Sequence, residues 1–182
     1  MISIRDLQTG RNVRLTAVRD SDAGVIEGWF NDTRFLRYYD FVPALPLRRR
    51  EVESFLDGFA DSSEKYIFAL RMIDSEEIIG ILGFCQIIWS SGTASLFIGI
   101  GNSSCTGRGL GKEALRLLLD FGFNELNFYR LQLNVIAYNE AAIKLYESLG
   151  FIREGTYRRH VLRDGIRYDM YLYGLLKDEW KG

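Results

Sequence analysis

The sequence predicts an α/β fold whose mixed, mostly antiparallel sheet has about seven strands. Three strand-like runs follow one another between residues 65 and 101, separated by short polar turns, and this favours an antiparallel meander. A helical pattern then separates two strands, which implies a crossover connection and a parallel pair. The last part, Phe151 to Leu176, is typical of a long hairpin around Asp164 and Gly165.

The N-terminal third predicts one strand and two helices. Val13 to Val18 alternates as a first strand, and Asp20 is a candidate N-cap for a helix that carries Ala23, Ile26, Trp29 and Phe30. A second helix follows Pro46. Its apolar side chains recur at i, i+3, i+4 and i+7, which makes one packing face: Val52, Phe55, Leu56 and Phe59.

The meander consists of Lys65 to Ile73, Glu77 to Ile88 and Thr93 to Gly101, and its third strand leads directly into a glycine-rich loop. A helix from about Leu110 to Glu125 and a strand from Arg130 to Ala137 follow. Asn139 then caps a shorter helix over residues 140–149, which Gly150 ends.

Composition and charge indicate a single globular domain over residues 1–182. The chain is 47% hydrophobic and 26% charged, with a formal net charge of −1, so no overall field favours nucleic acid as a partner. No apolar run approaches the roughly 20 residues that span a bilayer. Cys85 and Cys105 have no metal-ligand spacing and are expected to be reduced thiols. We therefore expect a cytoplasmic protein that binds neither nucleic acid nor membrane.

The glycine loop has the composition of an anion site. Glycines stand at 107, 109 and 111, immediately before a helix, so backbone NH groups and the helix N-terminus can converge on a phosphate or diphosphate. The dinucleotide fingerprint G-x-G-x-x-G does not fit this even spacing. The phosphate loop of nucleotide hydrolases does not fit either, because Thr106 and Glu113 occupy its first and last positions.

A second motif, residues 139–151 (NEAAIKLYESLGF), stands one strand beyond the loop. Together the two motifs resemble the GNAT superfamily of acyl-CoA-dependent N-acetyltransferases, in the branch of the ribosomal-protein-alanine and spermidine acetyltransferases. The family's loop pattern is Arg or Gln, two residues, Gly, any residue, Gly or Ala. Gly109 and Gly111 match it, whereas Thr106 replaces the Arg or Gln.

The resemblance implies a sheet that splays at its parallel pair, helices on both faces, and acetyl-CoA held in the gap. The pantetheine arm is expected along main-chain groups near Ile98 and Ile100, and the diphosphate on the NH groups of residues 108–112. The full set of implied cofactor-binding residues is Ile98, Gly99, Ile100, Thr106, Gly107, Arg108, Gly109, Leu110, Gly111, Lys112, Asn139, Ala142 and Tyr146.

The resemblance also implies direct acetyl transfer to a primary amine, such as a polyamine, an amino sugar or a protein N-terminus, and a possible homodimer. Tyr146 corresponds to the tyrosine that protonates the departing thiolate. The strand over residues 94–100 has no acid, so Asp32 and Asp40 are the candidate bases. Aromatic residues beside them are the candidate wall of an acceptor groove: Trp29, Phe30, Tyr38 and Tyr39.

The sequence is also compatible with functions other than acetyl transfer. A non-catalytic acyl-CoA-binding or sensor protein would keep the loop but lack the acid and base, and a nucleotide-binding oxidoreductase would bind NAD instead. A thiol route through Cys105 is less favoured, since no histidine stands near it in sequence. His160 is the sole histidine, which argues against a histidine-rich metal site, so no metal is expected.

Overall fold

The computed structural model describes residues 8–60 and 62–182. Seven strands form one sheet in the order β1-β2-β3-β4-β5-β7-β6. The strands are β1 (Val13–Thr16), β2 (Tyr66–Met72), β3 (Ile78–Ile88), β4 (Thr93–Ile100), β5 (Arg130–Ile136), β6 (Ile152–Arg163) and β7 (Ile166–Leu176). The helices are α1 (Ala23–Phe30), α2 (Thr33–Tyr39), α3 (Arg49–Ala60), α4 (Leu110–Asn124) and α5 (Glu140–Glu147). The predicted seven-stranded mixed sheet is confirmed.

The α2 helix was not predicted. It is only 7 residues long and includes Thr33, Phe35, Tyr38 and Tyr39, residue types with modest helix propensity. Asp32 supplies its N-cap, since the carboxylate accepts a 2.8 Å hydrogen bond from the Arg34 amide. Tertiary packing and this cap therefore outweigh local propensity.

The parallel pair, β4 and β5, separates soon after it begins. Only Thr93, Ala94 and Ser95 of β4 pair with β5, opposite residues 130–132. β4 then continues to Ile100 paired with β3 alone, and β5 continues to Ile136 paired with β7 alone. The predicted splay is confirmed, and we call the resulting gap the β4–β5 opening.

Helices cover both faces of the sheet. On one face α4 and α5 pack on a large apolar cluster that includes Leu115, Leu118 and Phe123, each at most 1% exposed. On the other face α1, α2 and α3 pack on a smaller cluster around Ile26 and Val52. In the described residues, no helix combines the length and apolar composition needed to cross a bilayer.

A buried ion pair joins the sheet to the start of α1. Arg71 of β2 and Asp22 are 3% and 5% exposed, and the Arg71 Nη2 to Asp22 Oδ2 distance is 2.5 Å. The Arg71 Nε also donates to the Thr16 hydroxyl at 3.0 Å, and Asp22 accepts from the Arg19 amide at 2.7 Å. Each charged group thus has the other as its ion-pair partner and accepts or donates at least one further hydrogen bond. Removing either side chain would leave the opposite charge without its partner in the interior.

The β6–β7 hairpin turns at Asp164 and Gly165, whose φ angles are +50° and +75°. Both values lie in the left-handed region that two-residue hairpin turns require, as the Asp-Gly pair predicted. The Asp164 carboxylate forms an ion pair with Arg37 of α2. The hairpin tip is thereby attached to the helix that borders the β4–β5 opening.

Candidate active site

The glycine loop, residues 106–111, adopts the left-handed conformations expected of its glycines. Gly107 and Gly109 have φ angles of +74° and +79°, and Gly109 is the N-cap of α4. A Cβ atom at either position would meet no protein atom within 4 Å. The two glycines are therefore required by backbone conformation, while the space beside them is open to a ligand.

Unpaired amides face this space. In the described chain, no backbone acceptor bonds the amides of residues 107–111, the first of α4 included. The dipole of the 15-residue α4 adds partial positive charge there. Neither Arg108 nor Lys112 forms an ion pair within residues 8–60 and 62–182. An anion at this loop would find free donors and two available cations.

The side chains of Thr106 in the loop and Glu113 in the first turn of α4 are held by other hydrogen bonds. The Thr106 hydroxyl donates to the Ser103 carbonyl at 2.8 Å, so this side chain stabilises a local turn. The Glu113 carboxylate accepts from the Asn12 amide at 2.6 Å and from its side chain at 2.7 Å. Burial raises the pKa of Glu113, but these hydrogen bonds outweigh that effect and the pKa is lowered. The Glu113 carboxylate thus stays ionised, and its hydrogen bonds hold the start of α4 against the start of β1.

A cavity of about 450 Å³ occupies the β4–β5 opening. Several of the predicted cofactor residues line it: Ile98, Ile100, Gly111, Asn139, Ala142 and Tyr146. Gly99 lies between two of them, but its Cα side faces α2, because a Cβ there would come within 2.6 Å of the Tyr39 ring. The opening therefore brings together Ile98 and Ile100 of β4, Gly111 at the end of the loop, and the predicted residues of α5 and its cap.

Asn139 joins the two sides of the opening. Its side-chain oxygen accepts from the Ala142 amide at 3.3 Å and caps α5. Its Nδ2 donates to the Tyr38 carbonyl at 3.4 Å. The cap predicted from sequence is confirmed, and the second bond ties α5 to the end of α2.

The Tyr146 side chain lines the cavity, is 8% exposed and packs against Phe151 at 5.9 Å between ring centroids. Its hydroxyl makes no hydrogen bond within the described residues. Burial raises the pKa of Tyr146 to about 12. The phenol is therefore protonated at neutral pH, and its proton is available to a group in the cavity.

Tyr173 offers a useful contrast. It is 1% exposed, and its hydroxyl lies 2.8 Å from Glu147 Oε1, to which it donates. Burial and this hydrogen bond raise the pKa of Tyr173 to about 12 as well. Both tyrosines are buried and have a raised pKa, but of the two only the Tyr146 hydroxyl has no hydrogen-bond partner in the part of the chain that the structure describes.

The opposite wall of the cavity comes from the end of α2, from α3 and from β3. Asp40 is the one carboxylate among its described lining residues, and it accepts from the Phe41 amide at 2.6 Å. Burial, together with the charge of Asp40, raises the pKa of Tyr39. Tyr38 and Tyr39, two of the four residues predicted for an acceptor groove, also line the cavity.

Three of the residues predicted for the base and the acceptor groove lie outside this lining. The Asp32 carboxylate is the exposed N-cap of α2. Trp29 and Phe30 are 8% and 5% exposed in the core behind α2. A Cβ on Gly101 would come within 2.0 Å of the Trp29 ring, so this indole packs under the end of β4. Trp29 and Phe30 face the core because they lie on the apolar face of α1.

Sequence reasoning missed the contribution of β3 and α3. Phe55, Phe59, Cys85 and Gln86 line the cavity. Gln86 lies in a β-bulge with a φ angle of +52°, and its Oε1 accepts from the Ser95 hydroxyl at 2.9 Å. The available signal was a polar residue within an apolar strand.

Of the two cysteines and the histidine, only Cys85 lines the cavity. Cys105 is 4% exposed in the core under α4. Burial raises the pKa of Cys85, so this cavity thiol is less ionised than a free one. His160 is exposed, with its ring 6.1 Å from Phe41. No group of three or more metal-ligating side chains occurs among residues 8–60 and 62–182.

Comparison with family models and with known proteins identifies the family to which the chain belongs. The family model of the acetyltransferase (GNAT) domain matches residues 12–152. The chain is 29% identical over 162 residues to the uncharacterized N-acetyltransferase p20 of Bacillus licheniformis, covering 88% of this chain and 90% of that protein. It is 30% identical over 154 residues to the spermidine N(1)-acetyltransferase of Escherichia coli K12, covering 85% and 74%.

Solved structures agree on the fold. The spermidine N-acetyltransferase of Vibrio cholerae, in complex with CoA and spermine, superposes with a TM-score of 0.84 at 22% identity. The match covers 92% of this chain and 96% of that one. The chain belongs to the GNAT family of acetyltransferases, which transfer an acetyl group from acetyl-CoA to an amine.

Proposed function

We propose that this protein transfers acetyl directly to a primary amine within the β4–β5 opening, with the two substrates approaching from opposite faces of the sheet. One observation carries the proposal: the cavity connects both faces. Ile100 lines it and lies 3.2 Å from the Cβ position of Gly111 on α4. Phe97 lines it too, with its ring 5.7 Å from that of Phe59 on α3. A donor on one side can therefore reach an acceptor on the other.

The α4 and α5 side suits coenzyme A. The free amides of residues 107–111, with Arg108 and Lys112, match the charge and donor requirements of a diphosphate. Beyond Ser95, the edge of β4 that faces β5 pairs with no strand of the described residues, so its main-chain groups can bond the amides of a pantetheine arm. Asn139, Ala142 and Tyr146 would border the end of that arm.

The chemistry needs an acid and a base. The bound donor supplies an activated thioester carbonyl, which main-chain amides near Ile98 to Ile100 would polarise. We assign the acid to Tyr146, whose free hydroxyl would give its proton to the sulfur. We assign the base to Asp40, directly or through a water, because it lines the cavity whereas Asp32 caps α2.

The acceptor is a small molecule or peptide carrying a primary amine. The spermidine acetyltransferases among the relatives support a small amine, while an amino sugar and a protein N-terminus stay within the proposal. We also propose that residues 1–182 form a single acetyltransferase domain. A location in the cytoplasm is part of the proposal and agrees with the two free cysteines.

A homodimer is the proposed assembly. The edge strand β6 and the start of β7 expose several apolar side chains by about half or more: Ile152, Tyr157, Leu162 and Ile166. Exposed apolar groups of this kind at a sheet edge favour association. Sedimentation equilibrium with the Leu162→Lys variant would test this assignment, since a dimer formed through this edge is expected to dissociate.

Direct transfer predicts that no acetyl-enzyme forms. After incubation with acetyl-CoA and no amine, intact-mass spectrometry is expected to show the unmodified chain. The reason is that Cys105 lies in the core and Cys85 has a raised pKa. Stoichiometric acetylation of either cysteine, followed by acetyl loss when amine is added, would establish a thiol route instead. Initial rates with both substrates varied are expected to give intersecting lines.

Replacing Gly109 by Ala is expected to weaken coenzyme A binding about tenfold. The left-handed conformation costs a residue with a Cβ roughly 1–2 kcal/mol, so the loop relaxes and its amides lose their common direction. Calorimetry measures the change in Kd. Gly165→Ala is the matched control, because its φ is +75° and its Cβ would also meet no protein atom within 4 Å. Equal Kd values for the two variants would contradict the role of the loop.

A further inference from the structure

The side chains that line the acceptor half of the cavity indicate the charge of the acceptor and the chemical character of the group that carries its amine. Resting on the function proposed above, we infer that the acceptor is a singly charged amine on an apolar or aromatic body, and not a polycation. The inference comes from the wall formed by the end of α2, by α3, by β3 and by Phe97 of β4, which we call the acceptor wall: Tyr39, Asp40, Phe55, Phe59, Gln86 and Phe97.

Aromatic rings dominate the acceptor wall. The Phe55 and Phe59 centroids lie 5.3 Å apart, and the Phe59 and Phe97 centroids 5.7 Å apart, so three rings form a continuous row from α3 to β4. Tyr39 extends the apolar surface at the other end, where its ring stacks on Phe35 at 5.2 Å. Such a surface favours an apolar or aromatic body by burying its area against rings.

The charges of the acceptor wall match one ammonium group. Asp40 is the single carboxylate among the described lining residues. Lys65 lies beside the wall, with its Nζ 5.0 Å from the centre of the Phe59 ring. Arg163 lies behind Asp40, where its Nη2 donates to the Asp40 carbonyl at 3.3 Å. A second ammonium in this cavity would find no further carboxylate among the described lining residues and would meet these cations, which makes its burial unfavourable.

The side chain of Gln86 also disfavours a second ammonium group. Its Oε1 is engaged by the Ser95 hydroxyl at 2.9 Å, so its NH₂ group is the part left to bond a ligand. This NH₂ has no acceptor within residues 8–60 and 62–182. An ammonium has no lone pair to accept its hydrogen bond, whereas a carbonyl or hydroxyl on a monoamine does.

The test compares kcat/KM for two classes of amine at saturating acetyl-CoA, by thiol release. The monocations are 2-phenylethylamine and phenylalaninamide, and the polycations are spermidine and spermine. We expect at least one monocation to exceed both polycations by about a hundredfold. Polycations equal to or better than both monocations would overturn the inference and leave the acetyltransferase function standing. No thiol release with any of the four amines would contradict both.

The nearly isosteric Gln86→Glu variant tests the charge argument separately. It adds a second carboxylate to the acceptor wall without changing the three rings. The ratio of spermidine to 2-phenylethylamine kcat/KM is expected to rise about tenfold or more relative to wild type. Lys65→Met, which removes a cation instead, is expected to shift the ratio in the same direction. Ratios unchanged in both variants would contradict selection by charge, and circular dichroism of each variant controls for folding.

Discussion

Replacing Tyr146 by Phe is expected to lower kcat about 10² to 10⁴-fold, the usual contribution of a positioned general acid. The phenol is 8% exposed, lines the cavity and has a pKa raised to about 12 by burial. Its proton is therefore present throughout the neutral range, and the departing sulfur loses its donor when the hydroxyl is removed. Because the ring stays, the Kd of coenzyme A is expected to change little. Steady-state kinetics and calorimetry measure the two quantities.

Tyr173→Phe is the matched control for this prediction. Tyr173 is also buried and also has a pKa near 12, but its hydroxyl is engaged by Glu147 at 2.8 Å. Its kcat is expected to stay within a few-fold of wild type. Since ionisation of Tyr146 requires a pH near 12, this residue is also expected to cause no loss of rate between pH 7 and 10. A Tyr146→Phe variant as active as Tyr173→Phe would remove Tyr146 from the mechanism.

Replacing Asp22 by Ala is expected to reduce the free energy of unfolding by about 3–5 kcal/mol, the usual cost of breaking a buried ion pair. Arg71 is 3% exposed and would keep its charge in the interior without its 2.5 Å partner. The N-terminal end of α1 would also lose the carboxylate that accepts from Arg19. Urea unfolding followed by circular dichroism measures the change.

Two further variants separate the charge effect from general perturbation. Glu53→Ala breaks an ion pair with Arg49 at the surface, where the Glu53 side chain is 50% exposed and the Arg49 side chain 45% exposed. This variant is expected to leave the unfolding midpoint nearly unchanged. The double replacement Asp22→Leu with Arg71→Met removes both charges and is expected to recover part of the lost stability. Asp22→Ala as mild as Glu53→Ala would show that the buried pair contributes little.

The sequence predicted the backbone features on the α4 and α5 side of the opening well, because their signals are local. Glycines at 107 and 109 permit the positive φ angles found there, and the cap by Asn139 follows from its place before α5. The parallel arrangement of β4 and β5 follows from the helix between them. Each of these features depends on residues close together in the chain.

The acceptor side was predicted less well because its walls come from distant segments. Trp29 and Phe30 carry the residue types of a groove wall, but the apolar face of α1 turns them into the core. The contribution of Gln86 depends on a β-bulge and on Ser95 in the next strand. The row of rings requires α3 to lie across β4, which periodicity within α3 cannot specify.

The structure of the protein with acetyl-CoA bound tests the central claim most directly. We expect the diphosphate on the amides of residues 107–111 and the pantetheine arm along β4 beyond Ser95. The sulfur is then expected within hydrogen-bond reach of the Tyr146 hydroxyl, at about 3 to 4 Å. A diphosphate bound away from the glycine loop, or a sulfur outside the β4–β5 opening, would contradict the assignment of this opening as the site of acetyl transfer.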